Sequence, residues 1–265
     1  MADLTVRDVT LAAPCRAKAD TCRIIVPVTA LLPQPAAALA RTAAAAGDLV
    51  ELRLDALADQ SPAGLAWAVQ TVRRAIGETP LLVTLRTLGE GGAADLDPAA
   101  YTAALRALCA GAGADIDLLD VEFSAGADAC ARLRAAAHEA GAGVVFSAHD
   151  FRTTPDTGAM TALLTAMADA GADVAKLAVT PADPADAARL LQATAQAAAL
   201  RPETPLLTMA MGPLGAVTRV CGAAFGVCAS FGTAGTAGAA SAPGQPDAAA
   251  LRAALSALAA CRGAR

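Results

Sequence analysis

Leu49-Val-Glu-Leu-Arg-Leu54, a helical stretch over 61–76 ending at Gly77, and Pro80-Leu-Leu-Val-Thr-Leu-Arg86 form the passage on which the fold turns. Two short runs of β-forming residues flank a segment whose apolar residues recur at helical spacing, the pattern of parallel strands joined by a crossover helix. The unit repeats in both directions. Further β-rich runs are Arg23-Ile-Ile-Val-Pro-Val28, Ile116-Asp-Leu-Leu-Asp-Val-Glu-Phe123, Gly143-Val-Val-Phe-Ser147, Asp173-Val-Ala-Lys-Leu-Ala-Val179, Thr204-Pro-Leu-Leu-Thr-Met209 and Gly226-Val-Cys-Ala-Ser-Phe231. Ala/Leu-rich helical stretches lie at 35–46, 98–110 and 157–170, and Gly47, Gly77, Gly141 and Gly171 are expected to close helices in the left-handed conformation. Eight strands alternating with helices predict an α/β fold, a (β/α)8 TIM barrel filling 1–265 as one domain. A shorter helix over 214–224 joins the seventh and eighth strands, and the last covers 246–260. Residues 4–11 alternate as a strand, which with its neighbour predicts an N-terminal β-hairpin within 1–22 that closes the barrel bottom. A doubly wound open sheet is the competing fold, but Pro27-Val-Thr-Ala-Leu-Leu after the first strand is not a Gly-rich phosphate turn.

Composition narrows the functional classes. The 265 residues are 55% hydrophobic and 17% charged, with net charge −5, which excludes disorder and argues against a nucleic-acid-binding surface. Residues 220–246 carry no charge and are long enough to span a bilayer, but six glycines interrupt them, so no membrane span is expected. Asp3, Arg7 and Asp8 stand where a signal peptide would be apolar, and seven cysteines show no Cys-x-x-Cys spacing; both features predict a cytoplasmic chain with reduced thiols. Of 20 basic residues only Lys18 and Lys176 are lysine, and the only histidines are His138 and His149. In a chain so biased toward arginine, a retained lysine points to chemistry that arginine cannot perform.

Strands buried on both faces should be almost wholly apolar, so the ionisable residues in and after them need a reason. Glu51, Arg53 and Asp55 recur at period two on the second strand. Arg86 ends the third, and Glu90 follows in a Gly-rich loop. Asp120 and Glu122 sit on the fourth, His149-Asp150 follows the fifth, Lys176 lies in the sixth, and Arg219 follows the seventh. Charge is thereby aimed at the carboxyl ends of the strands, where barrel enzymes keep their catalytic groups. Arg53, Arg86, Lys176 and Arg219 would make that mouth locally attractive to anions. Bland readings compete: Glu51 with Arg53, or Arg86 with Asp120, as pairs that fix register; His149 as a cap; His138 as a surface residue; Trp67 and Tyr101 as helix packing.

Lys176 sits between apolar neighbours, where burial disfavours its charged form and leaves an amine able to attack a carbonyl. His149, one strand away, has an ordinary pKa of about 6.5 and can serve as acid and base, with Glu90 orienting its ring.

The segments Val50-Glu-Leu-Arg-Leu-Asp55, Leu82-Val-Thr-Leu-Arg86, Asp120-Val-Glu122, Ser147-Ala-His-Asp-Phe151, Lys176-Leu-Ala-Val, Met209-Ala-Met211, Arg219 and Ser241-Ala-Pro-Gly-Gln245 together closely resemble the type I 3-dehydroquinate dehydratases of the shikimate pathway. The resemblance runs in order along nearly the whole chain. It implies a Schiff base between Lys176 and the C3 ketone of 3-dehydroquinate, and His149 taking the C2 proton and protonating the departing C1 hydroxyl in a syn elimination. Glu90 would position the histidine. Arg219, Gln245 and Ser241 would hold the substrate carboxylate, and Glu51, Arg53 and Arg86 its ring hydroxyls. Asp55, Asp120, Glu122, Met211 and Phe231 would support them. No metal or organic cofactor is implied, and family members are commonly homodimers. The Gly/Ala tract after Phe231 is a few residues longer than the family's pattern and reads as a lid, while Pro27 and Pro213 replace residues common elsewhere in the family. Other readings are a class I aldolase on a sugar phosphate, a metal-dependent barrel enzyme built on Glu51, Asp120, Glu122 and His149, and a non-catalytic sensor of a shikimate-like ligand.

Overall fold

The computed structural model describes residues 3–235 and 244–261. After a two-stranded hairpin, β1 (Leu4–Val6) and β2 (Val9–Leu11), the chain alternates β3 (Arg23–Val28), α1 (Pro33–Ala46), β4 (Leu49–Arg53), α2 (Pro62–Ile76), β5 (Leu81–Thr84), α3 (Pro98–Ala112), β6 (Leu118–Glu122), α4 (Ala127–Glu139), β7 (Gly143–Asp150), α5 (Thr157–Asp169), β8 (Val174–Val179), α6 (Pro184–Leu200), β9 (Leu206–Ala210), α7 (Gly212–Cys221), β10 (Ala229–Phe231) and α8 (Ala248–Ala260). The eight strands β3 to β10 are parallel and hydrogen-bonded in the order β10-β3-β4-β5-β6-β7-β8-β9. A bridge between Leu206 and Val227, with Cys228 N–H donating to the Leu206 carbonyl at 2.8 Å, joins β9 to the chain entering β10 and closes the ring. The (β/α)8 barrel read from the repeat is the fold.

Local chemistry explains the helix starts. Ser61, Asp97, Asp156, Asp183 and Asp247 accept backbone N–H groups as N-caps, and prolines occupy the first turns of α1, α2, α3, α6 and α7, where no backbone donor is lost. α2 buries Leu65, Ala68, Val69, Val72 and Ile76 at helical spacing. Trp67 falls off that stripe and is 48% exposed, contrary to its reading as packing, whereas Tyr101 is buried. Gly47 also differs from expectation. Its φ is −114°, not left-handed, and a Cβ there would lie 2.7 Å from Val26 Cγ2 and 2.9 Å from the Ile24 carbonyl. Close approach to β3 is what requires glycine at that helix end.

The hairpin does stopper the barrel, but it is built differently from the expected single strand over 4–11. The reversal occurs inside those residues at Arg7-Asp8, with Arg7 at a φ of 53°, the positive-φ geometry that tight hairpin turns need. The Arg7 guanidinium then reaches Asp117 (Nε to Oδ1, 2.8 Å) and Glu78 beside the barrel foot. Val6 and Leu11 pack into one cluster with Ile25, Leu49, Leu82, Leu118, Val145, Val174 and Leu207, the lowest inward-facing side chains. Outward-facing strand residues such as Leu52, Val83, Val121 and Phe146 form the larger core against the helices. Among the described residues no helix is long and apolar enough to cross a membrane.

Candidate active site

Above the apolar floor the inward positions turn polar, and period two decides which side chains meet. Glu51 and Arg53 come from β4, Thr84 from β5, Asp120 and Glu122 from β6, Ser147 and His149 from β7, and Lys176 from β8. Glu51, Arg53, Thr84, Arg86, Glu90, Gly91, His149, Phe151, Lys176, Ala178, Met209, Met211, Arg219, Phe231 and Gln245 line one pocket at the carboxyl ends of the strands. β7 runs through His149 and Asp150, three residues past its apolar run, because Ser147 to Asp150 pair with Lys176 to Val179 of β8. In that register Ser147 lies beside Lys176, and His149 is one inward position nearer the mouth, about 7 Å further along the strand.

The apolar neighbours of Lys176, Ala175 and Leu177, turn outward into the helix layer. The amine itself meets Asp120 Oδ2 at 2.9 Å, Glu51 Oε1 at 3.7 Å and the face of Phe231 at 5.1 Å from the ring centre. An ion pair therefore replaces the apolar surroundings that its flanks suggested. Arg86 is the hub of the buried network: its NH2 donates to Asp120 Oδ1 at 2.7 Å, and its NH1 lies 3.1 Å from both Glu122 Oε1 and Ser147 Oγ and 3.4 Å from Glu90 Oε2. Ser147 in turn donates to Asp120 Oδ1 at 2.6 Å, and Thr84 to Glu51 Oε1 at 2.9 Å. Burial would raise the Asp120 carboxyl, but Arg86, Lys176, His149 and Ser147 outweigh it and hold Asp120 well below the ordinary carboxylate range. Arg53 forms a two-bond pair with Asp55 at 2.8 Å rather than with Glu51, and Asp55 also accepts the Ala93 N–H.

The Gly-rich loop after β5 brings Glu90 Oε2 to 2.9 Å from His149 Nδ1. His149 is thus not a cap; Asp150 holds the following turn through the N–H groups of Arg152 and Thr153. Burial pushes the Glu90 carboxyl up to about 7, against the pull of Arg86 and Ser124. His149 moves the other way: burial, then the charges of Arg86 and Lys176, keep its ring well below the ordinary histidine value. The value near neutrality expected for a free imidazole does not describe it.

Arg219, on α7, is 2% exposed, and its Nε, NH1 and NH2 are all buried without a partner among the described residues. Burial lowers its pKa to about 10. An unpaired buried guanidinium is costly, and on the wall of a pocket it marks the place of an anion. Of the four cations expected to draw anions to the mouth, Arg53, Arg86 and Lys176 are already matched by carboxylates, and Arg219 has no such partner among the described residues. Gln245 lines the same pocket; Ser241 and most of the Gly/Ala tract lie outside the described residues. Asp120 and Glu122, two of the residues a metal reading would use, spend both oxygens on Arg86, Ser147, Lys176 and Thr87. Among the described residues no group of three His, Cys, Asp or Glu is arranged to hold a metal. Sequence reading passed over Thr84 and Ser147, although both stand at inward positions of the period-two pattern, and Ser124, whose contact with Glu90 no spacing reveals.

Comparison with known proteins adds a second line of support. The family described as type I 3-dehydroquinase matches residues 24–261. A 3-dehydroquinate dehydratase of Lactiplantibacillus plantarum is 42% identical over 191 residues, 72% of this chain and 75% of that protein. One from Klebsiella pneumoniae is 38% identical over 190 residues, 71% of this chain and 75% of its own. The crystal structure of the Geobacillus kaustophilus 3-dehydroquinate dehydratase superposes with a TM-score of 0.88 at 31% identity, covering 99% of this chain and 98% of that one. A type I 3-dehydroquinate dehydratase from Clostridium difficile with covalently modified comenic acid gives 0.88 at 28% identity, covering 98% of each chain.

Proposed function

Since the chain belongs to the type I 3-dehydroquinase family, we propose that it dehydrates 3-dehydroquinate through an imine on Lys176, with His149 as acid and base. The activity itself, 3-dehydroquinate dehydratase, follows from the family. The mechanism is supported chiefly by one observation: a pocket whose wall holds an amine, a histidine–carboxylate pair one inward position above it, and a buried guanidinium with no partner among the described residues.

The substrate carboxylate would pair with Arg219 and fill the place its geometry leaves, with Gln245 beside it. Binding there sets the ring so that its C3 carbonyl meets Lys176 Nζ. Lys176, an ammonium beside Asp120, releases two protons to the carbonyl oxygen by way of His149 as the C–N bond forms, and that oxygen leaves as water to give the iminium, which serves as the electron sink. With Nδ1 donating to Glu90, His149 Nε2 is the lone pair left for the pocket. It takes the C2 proton as an enamine forms, then gives a proton to the C1 hydroxyl, which departs as water. Addition of water to the remaining iminium frees 3-dehydroshikimate and restores the amine. Glu51 and Asp120, the latter fixed by Ser147, hold Lys176 against the barrel wall while this proceeds, and Arg53 and Arg86 face the ring hydroxyls.

Borohydride reduction in the presence of 3-dehydroquinate is expected to leave a covalent adduct, located on Lys176 by peptide mass spectrometry. Bound substrate with no adduct at Lys176 would rule the imine out.

A further inference from the structure

Glu90 is held from two sides. Its Oε2 lies 2.9 Å from His149 Nδ1 and 3.4 Å from Arg86 NH1, and its Oε1 accepts the Ser124 hydroxyl at 2.5 Å. The charged and titratable groups that bear on it are Arg86 at the end of β5, Asp120 and Glu122 on β6, and His149 on β7. Both carboxylates of β6 favour a protonated Glu90. Arg86 favours the ionised form, but its NH1 is shared, with Glu122 and Ser147 closer at 3.1 Å than Glu90 at 3.4 Å. The shortest donor on Glu90 is Ser124, in the turn after β6.

The charge state of Glu90 decides the tautomer of His149. An ionised carboxylate can only accept, so Nδ1 carries the ring proton and Nε2 keeps its lone pair for the substrate. A protonated Glu90 donates instead, Nδ1 becomes the acceptor, and the proton moves to Nε2, where it blocks removal of the C2 hydrogen. We infer that Ser124 is a positioning residue of the reaction: its hydroxyl, donated to the Glu90 oxygen that His149 does not use, keeps Glu90 an acceptor and so keeps Nε2 of His149 bare toward the substrate. This rests on the assignment of Glu90 and His149 made above. It is consistent with Ser124 being one of the groups that pull Glu90 down against burial.

The test uses the full chain and Ser124→Ala, Ser124→Thr and Glu90→Gln. In Ser124→Ala the acid limb of kcat should move up by roughly half to one pH unit, a threefold to tenfold loss on the acid side that shrinks as pH rises. Borohydride should still trap 3-dehydroquinate on the protein as in wild type, and Ser124→Thr, which keeps the hydroxyl, should return the limb. Glu90→Gln should trap substrate but turn over slowly at every pH. An unmoved limb in Ser124→Ala beside a slow Glu90→Gln overturns the role of Ser124 alone. Normal turnover in Glu90→Gln overturns the pairing on which it rests. A loss in Ser124→Ala that is uniform with pH, or that Ser124→Thr does not restore, overturns the tautomer argument in favour of a merely structural role.

Discussion

Glu90 and His149 share one hydrogen bond, and burial moves them in opposite directions. A carboxylate raised to about 7 takes its proton at higher pH than an exposed one, so activity that needs it ionised is present above that value and lost as pH falls through it. The acid limb of kcat is therefore expected near pH 7, with His149 neutral on both sides. A limb down in the ordinary carboxylate range would show that Glu90 does not control the step. His149→Ala should still yield the borohydride adduct on Lys176 while kcat falls by about a hundredfold or more, as expected when a positioned acid and base is lost. Arg219→Ala should raise KM by at least about tenfold, measured as initial rates, because a buried ionic partner of the substrate is removed. Lys176 and His149 were legible because an ionisable side chain in an apolar strand stands out, and Glu90 and Arg219 because they follow strand ends. Their electrostatics were not. Lys176 read as desolvated from its neighbours in sequence, but Asp120 and Glu51 come from two other strands, and only the closed barrel brings them to the amine.

Strand parity carried most of what could be read at the level of elements. Period two put Glu51, Arg53 and Asp55 on one face of their strand, which holds for Glu51 and Arg53 while Asp55 lies in the turn beyond it, and the same rule places Asp120, Glu122, Thr84 and Ser147 inward. What parity cannot supply is the path of the connections. The loop from Thr87 to Ala94 folds back on the end of β5, with Gly92 N–H donating to the Thr87 carbonyl at 2.8 Å and Ala94 N–H to the Arg86 carbonyl at 3.1 Å. A Cβ on Gly92 would sit 2.1 Å from that Arg86 carbonyl oxygen. Gly92→Ala must displace the loop and with it Glu90, so kcat should drop by about tenfold or more while thermal stability changes little, because misplaced catalytic groups are punished more severely than an exposed loop is. Parallel measurement of kcat and of the melting curve checks this; unchanged kcat would mean that the loop absorbs the methyl elsewhere. The hairpin was misread for a related reason: alternation marks residues 4–11 as extended but is silent about a reversal at a residue other than glycine.

Across the whole molecule, chemistry and stability occupy opposite ends of one barrel. Asp117, below β6, accepts from Arg7 and Arg73 and from the Leu81 N–H at 2.8 Å, which ties the hairpin to α2 and β5. Asp117→Ala leaves the buried Arg73 guanidinium without its carboxylate, while the exposed Arg7 keeps Glu78, and should cost about 3 kcal/mol in denaturant unfolding, with kcat little changed. A large loss of kcat with full stability would contradict that division. The strand order was open to sequence reading because each βαβ unit repeats one pattern, and the pairing of Arg86 with Asp120 was among the readings offered; the partners of Arg53 and Lys176 were not, since net charge says nothing about pairing. The stopper also governs traffic. A barrel plugged at its foot by Val6 and Leu11 is a blind well, and everything that enters or leaves uses the same door. The organic product must clear the well before another substrate can descend, and the water set free by elimination must pass beside the product or wait beneath it. 3-Dehydroshikimate should accordingly compete with 3-dehydroquinate for one seat, seen as purely competitive product inhibition with an unchanged maximal rate.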